Sequence, residues 1–299
     1  MVLPESAKLV RMLRYIGWPL VLLFVWDVVV TLLYVLVPHP EFELPVLPMT
    51  LLGSALALFL SFRNNNAYGR WWEGRTLWGS MVNASRSYGR AVFHLVDAGH
   101  GSQSVRRALV MRQIAYVHAL RCHLRRQDPW DEIGGFLPEG EMEELRHVAN
   151  VPNAILNGTA ALLTSAAAKG WMDSIRRSQI ETLLVDMSNA QGGMERIKNT
   201  PLPREYAFFP TLFVQVFCVL LPIGLVDGLH LYTPLASTIV GFMFLAMDRI
   251  GSDLQDPFEN RAHDVPLTSI CRTIEIDLRQ LAGEDEVPAP VRPAGAVLW

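Results

Sequence analysis

Apolar and polar positions divide this chain into four long apolar runs separated by stretches of amphipathic helical pattern. Residues 18–37, WPLVLLFVWDVVVTLLYVLV, carry one charge and are about as long as a helix needs to cross a hydrocarbon core. Residues 208–226 and 229–247 have the same character. The remaining run, at 46–62, continues directly into RNNNAYGRWWEGRTLWG, and no proline interrupts it after Pro48. This pattern predicts one helix that begins in a bilayer and continues into the cytoplasm.

The loop PHPEFELPVLP between the first two runs has no Lys or Arg, and neither has Asp227-Gly228, the tight turn expected between the last two. Bases lie at the opposite ends: Lys8, Arg11 and Arg14 before the first run, Arg63 and Arg70 after the second, Arg249 and Arg261 after the fourth. Lys and Arg collect on the cytoplasmic side, so four spans with both termini inside are expected. A cleaved leader would be shorter and followed by small residues rather than Pro38, His39 and Pro40, so the first run reads as a retained span.

The expected organisation is residues 1–62 as an N-terminal segment with spans one and two, 63–204 as a helical cytoplasmic region, 205–247 as spans three and four, and 248–299 as a cytoplasmic helix and extended tail. Within the cytoplasmic region, 76–98, 105–126 and 153–190 have helical periodicity, and 128–139, with two prolines and two adjacent glycines, reads as a loop. Short helices at 139–147 and 151–164 are divided at Pro152, and 267–281 is an amphipathic helix with Thr268 or Ser269 as candidate cap. The region looks too thin in apolar surface for an enzyme domain with its own deep pocket.

On the second helix Ser54, Leu58 and Phe62 stand four apart and share a face. Such a row suits a pore constriction, and an ordinary helix seam has the same spacing. Asp27, near the middle of the first span, is either a hydrogen-bonded packing residue or part of a permeation path, because an ionised carboxylate there is costly.

Composition narrows the classes. A chain of 299 residues that is 51% hydrophobic and 18% charged is too apolar for most soluble domains, and a net charge of -3 leaves no nucleic-acid footprint. Cys122, Cys218 and Cys271 are odd in number and far apart, which suits buried thiols better than disulfides or zinc. Phosphate-loop, dinucleotide, HExxH and GxSxG motifs are missing, and Gln191-Gly192-Gly193 has no phosphate-binding context. His118 and His123 are five apart, off a common helix face, while His94, His100 and His147 suit the surface. No enzyme activity, metal or cofactor is therefore expected. Transport, signalling and scaffolding are the classes left, with Asp27 as the coupling carboxylate if the chain were a secondary transporter. Four spans cannot both pack and enclose a wide aqueous path, so a conduit would need several copies around an axis.

Three stretches resemble the bestrophin family, specifically its bacterial members: FRNNNAYGRWWEGRTLWG after the second span, SQIETLLVDMSNAQGGMERIKNTPLP before the third, and DLQDPFENRAHDVPL after the fourth. The resemblance implies an all-α integral membrane protein of the inner membrane, with four transmembrane helices and a large helical cytoplasmic region. It also implies assembly as a homopentamer around a central pore, with lipid and permeant monovalent ions as its other partners. Aligned on Arg70, Trp71 and Trp72, the hydrophobic neck falls on Ser54, Leu58 and Phe62; the cytoplasmic aperture of the family falls on Ile180, within SQIETLL. Ser54 stands where the family has a bulky aliphatic, which would widen that ring. Where animal relatives bind calcium this chain has Glu259, Asn260, Arg261, Ala262 and His263, with Asp264 and Asp256 as the remaining carboxylates. An arginine there opposes a calcium clasp, which implies calcium-independent conduction. Asp173 is a vestibule charge that would favour cations such as Na+ if Arg176 and Arg177 point away; anion selectivity, or a scaffold without conduction, are the alternatives.

Overall fold

The computed structural model describes residues 1, 13, 15–37, 46–97, 101–295 and 297–299. Lys8, Arg11, Arg14, most of the PHPEFELPVLP loop and His100 lie outside the described residues. Among the described residues the regular structure is helical, apart from isolated bridges at Gly134–Leu137 and Ala294–Val297. In chain order the helices are α1 (Trp18–Leu36), α2 (Val46–Leu95), α3 (Ser102–Arg125), α4 (Trp130–Ile133), α5 (Glu139–Leu145) and α6 (Val151–Ala168). Then come α7 (Ser174–Asn199), α8 (Arg204–Leu229), a 3-10 turn (His230–Tyr232), α9 (Thr233–Leu254) and α10 (Leu267–Leu281). Contacts divide the chain into two compact units: Pro4–Trp71 with Pro201–Asp256, and Met1–Leu3, Trp72–Thr200 with Pro257–Trp299.

In the first unit α1, α8 and α9 pack on one another, and the start of α2 joins them. Leu23, Leu56, Leu60, Val214, Phe217 and Leu221 form its buried centre. The stretches Trp18–Leu36 and Arg204–Leu254 are each long and apolar enough to cross a membrane. The expected turn at Asp227-Gly228 falls later: both residues stay in α8, Asp227 accepts a hydrogen bond of 2.7 Å from the Tyr34 hydroxyl, and the chain reverses through His230–Tyr232. His230 takes a positive φ of 47° to leave α8, and Pro234 in the first turn of α9 restarts the helix. Helix α9 then runs to Leu254, beyond the apolar run that predicted it.

In the second unit α3 is the central element, packed against α6, α7 and α10. It is buried on nearly every face, Arg112, Gln113, His118 and Arg121 included. The core therefore extends through a helix that carries several arginines, because those arginines are neutralised inside it: Arg112 pairs with Glu141, and Arg121 Nη2 lies 2.7 Å from Glu132. The expected helix at 153–190 divides into α6 and α7 around residues 169–173. Pro152 lies in the first turn of α6, where its missing N–H costs nothing, so it opens the helix instead of dividing it. Helix α10 matches its expected bounds, but Pro266 occupies the cap position, and Thr268 instead accepts a hydrogen bond of 2.8 Å from Arg125.

Two of the stretches that carried the resemblance meet in this unit. A Cβ at Gly74, in RWWEG, would lie 2.9 Å from Phe258 Cζ, in DPFEN, so the close packing of α2 on the Phe258 turn requires glycine.

Candidate functional site

In the first unit one stripe of α2 is buried: Leu56, Leu60, Arg63 and Ala67, at the spacing of a packed helix face. Ser54, Leu58 and Phe62 lie on another face. Leu58 and Phe62 are each 59% exposed, and Ser54 is exposed with its hydroxyl turned back onto Thr50 O at 2.8 Å. The row is thus not a packing seam within the chain. It is a surface left for water, lipid or another copy.

Arg63 ends the apolar part of α2 and is held from the inside. Its guanidinium pairs with Asp248 on α9 and donates to Ser252 Oγ at 2.7 Å, while Thr211 on α8 donates to the same Asp248 oxygen at 2.8 Å. Asn64 donates to Met247 O at 2.9 Å, Asn66 to Tyr206 at 2.7 Å, and Arg70 Nε to Gln255 O at 2.9 Å. The polar residues after Phe62 therefore tie α2 to α8 and α9. Asp27 is wholly enclosed, accepting from Ser237 at 2.9 Å and Thr238 at 2.8 Å on α9. Both carboxylate oxygens are satisfied, which favours the packing role over a permeation path.

In the second unit Asp173 caps α7, accepting from Arg176 N–H at 2.8 Å. Arg176 Nε lies 3.5 Å from the Asp173 carboxylate and its Nη1 2.7 Å from Asp97, while Arg177 stands 3.8 Å from Glu181. Arg176 is shared between Asp173 and Asp97, so one guanidinium charge faces two carboxylates. Ile180 is fully buried and has no surface to offer an opening. The exposed apolar side chain at the start of α7 is Ile175, 71% accessible, a residue the sequence reading passed over. The capping pattern itself, Asp173 directly before a helical run, is what would have marked Ile175 as a first-turn residue.

Around the DPFEN turn, Glu259 pairs with Lys198 at 2.6 Å, and buried Asp264 accepts from Arg261 N–H at 3.0 Å. Burial pushes the Asp264 carboxyl above its ordinary range even though the Arg261 backbone N–H favours its ionised form. Among the described residues no cluster of three or more His, Cys, Asp or Glu side chains is placed to hold a metal ion. Elsewhere in this unit His118 Nε2 lies 3.2 Å from Glu275, which also meets Arg279 at 3.0 Å and Arg272 at 3.4 Å.

The family model described as bacterial/fungal bestrophin protein matches residues 9–280. A Salmonella typhi protein named voltage-dependent anion channel-forming protein YneE is 37% identical over 242 residues, covering 81% of this chain and 78% of that one. Its Escherichia coli K12 counterpart is 34% identical over 274 residues, covering 92% and 89%. The crystal structure of a bacterial bestrophin homologue from Klebsiella pneumoniae superposes with a TM-score of 0.85 at 31% identity, over 89% of this chain and 98% of that one.

Proposed function

Because this chain belongs to the bestrophin family, we propose that it assembles as a homopentamer in the inner membrane and passes monovalent ions passively along the shared axis. The protein is a channel, not an enzyme. In this reading α1, residues 46–62 of α2, α8 and α9 span the bilayer, both termini are cytoplasmic, and five copies of α2 surround the path.

The observation that carries the reading is the two-faced character of α2. One stripe is consumed by packing inside the chain, and the row Ser54, Leu58, Phe62 is left outward-facing. Rings of Leu and Phe restrict ion flow by excluding water from a narrow passage, while the small Ser54 leaves its ring wider. For the cytoplasmic aperture we place Ile175 where the resemblance pointed to Ile180, because Ile175 is exposed and Ile180 is buried. Conduction is taken to be independent of calcium, since Glu259 is engaged by Lys198 and Arg261 adds positive charge to the turn.

Ion choice has two readings. Cation preference rests on Asp173, which caps α7 and shares Arg176 with Asp97, so the group keeps a net negative charge. Anion conduction is favoured by the names of the relatives. Planar-bilayer recording of purified protein under a salt gradient separates the two by the sign of the reversal potential. In the same recordings Leu58→Ala and Phe62→Ala each raise unitary conductance or shift the reversal potential. Unchanged currents from both variants would remove the neck assignment, and no flux from intact pentamer would remove the channel.

A further inference from the structure

Arg63 occupies the third position of the buried stripe Leu56, Leu60, Arg63, Ala67, where an aliphatic side chain would pack as well as its neighbours do. A buried ion pair adds little net stability over a hydrophobic pair of similar volume, because desolvating both charges offsets their attraction. What a charged pair adds is geometry. A leucine stripe tolerates small slips of one helix along another, whereas a guanidinium bonded to Asp248 and Ser252 has one register and one rotation. Thr211 fixes the Asp248 carboxylate from a third helix, so α2, α8 and α9 meet at this point.

The seam is built for that contact. Gly251 lies one turn after Asp248's neighbour Met247, and a Cβ there would collide with Asn64 Oδ1 and lie 3.7 Å from Arg63 Nε. Asn64 in turn donates to Met247 O. Phe62 precedes Arg63 directly, and successive helical residues are about 100° apart, so the rotation that Arg63 fixes is also the rotation at which Phe62 is presented.

We propose that the Arg63–Asp248 pair, with Ser252 and Thr211, is a positioning device for the neck: it sets the angle at which the Phe62 ring stands to the ion path. This rests on the channel reading above, and Phe62, not Arg63, is the residue that would meet ions. A merely structural pair would change how much pentamer survives, without changing what each surviving channel conducts in a Phe62-dependent way.

The test is a double-variant cycle on the full-length protein in planar bilayers. Asp248→Asn keeps shape and removes the charge; Ser252→Ala is a milder variant that leaves the ion pair in place and covers the case in which Asp248→Asn fails to assemble. Each is recorded alone and combined with Phe62→Ala. Expected is a change in unitary conductance that is lost in the Phe62→Ala background, with a departure from multiplicativity of about threefold or more, the scale on which sites sharing a backbone shift couple. The same conductance ratio in both backgrounds, or no change from either variant while Phe62→Ala acts, overturns the positioning role. If Phe62→Ala alone leaves conductance unchanged, the neck reading fails first, and this inference falls with it.

Discussion

Gly74 offers a direct measure of how tightly two separated stretches are fitted together. A Cβ added there would lie 2.9 Å and 3.2 Å from two atoms of the Phe258 ring and 3.4 Å from Pro257 Cγ. Phe258 is 1% exposed, so its ring has nowhere to swing and the helix or the turn must move. Overpacking of this kind costs about 1–3 kcal/mol. Alanine also favours the helical state over glycine by about 1 kcal/mol, so the single variant understates the clash. A cycle separates the two effects. Phe258→Leu removes the ring atoms that the methyl would meet, so Gly74→Ala should change from destabilising to stabilising in that background, with a coupling of about 1–3 kcal/mol. Unfolding by SDS titration in mixed micelles reads the four free energies. An equal cost for Gly74→Ala in both backgrounds would refute the close-packing account.

The two isoleucines of α7 should separate function from stability. Ile180→Ala costs about 2–5 kcal/mol in the same unfolding assay, with unitary conductance unchanged, whereas Ile175→Ala stays within about 0.5 kcal/mol of the parent and alters conductance. Reversed phenotypes would return the aperture to Ile180. Glu275 supplies a pH-dependent case: burial alone would raise its carboxyl, but His118, Arg272 and Arg279 outweigh burial and hold it below the usual glutamate range. A depressed folded value gives stability that is present above the unfolded value and lost as pH falls through the folded one. Glu275→Gln should therefore destabilise by about 1–3 kcal/mol at neutral pH, with the difference from the parent shrinking in acid. A difference that stays constant across that range would exclude the charged cluster as its cause.

The continuation of the second apolar run into RNNNAYGRWWEGRTLWG was legible in the lack of proline after Pro48, but the separate helical pattern expected at 76–98 proves to be the same helix, which runs unbroken from Val46 to Leu95. The apolar runs likewise located α1, α8 and α9, and α10 was found at its expected bounds. The reversal after α8 was misplaced because Asp227-Gly228 has turn chemistry, while the tertiary contact from Tyr34 and the restart at Pro234 decided where the chain bends. Periodicity gave 105–126 as helical but could not show that Arg112 and Arg121 are buried, because the pattern does not reveal that Glu141 and Glu132 meet them there. In the candidate site, spacing brought Ser54, Leu58 and Phe62 onto one face but could not say which way the face turned. Ile180 came from the resemblance of the SQIETLL stretch, and burial, which a resemblance does not show, distinguishes it from Ile175.

The three native thiols, Cys122, Cys218 and Cys271, are all free and all hidden. Burial raises the Cys122 thiol and pushes that of Cys271 up to about 12, so little reactive thiolate forms at either. The unaltered chain is thus a quiet background for chemical labelling. Leu58→Cys, Phe62→Cys and Ile175→Cys would each install one accessible sulfur, and charged methanethiosulfonate reagents would then report, position by position, where water reaches.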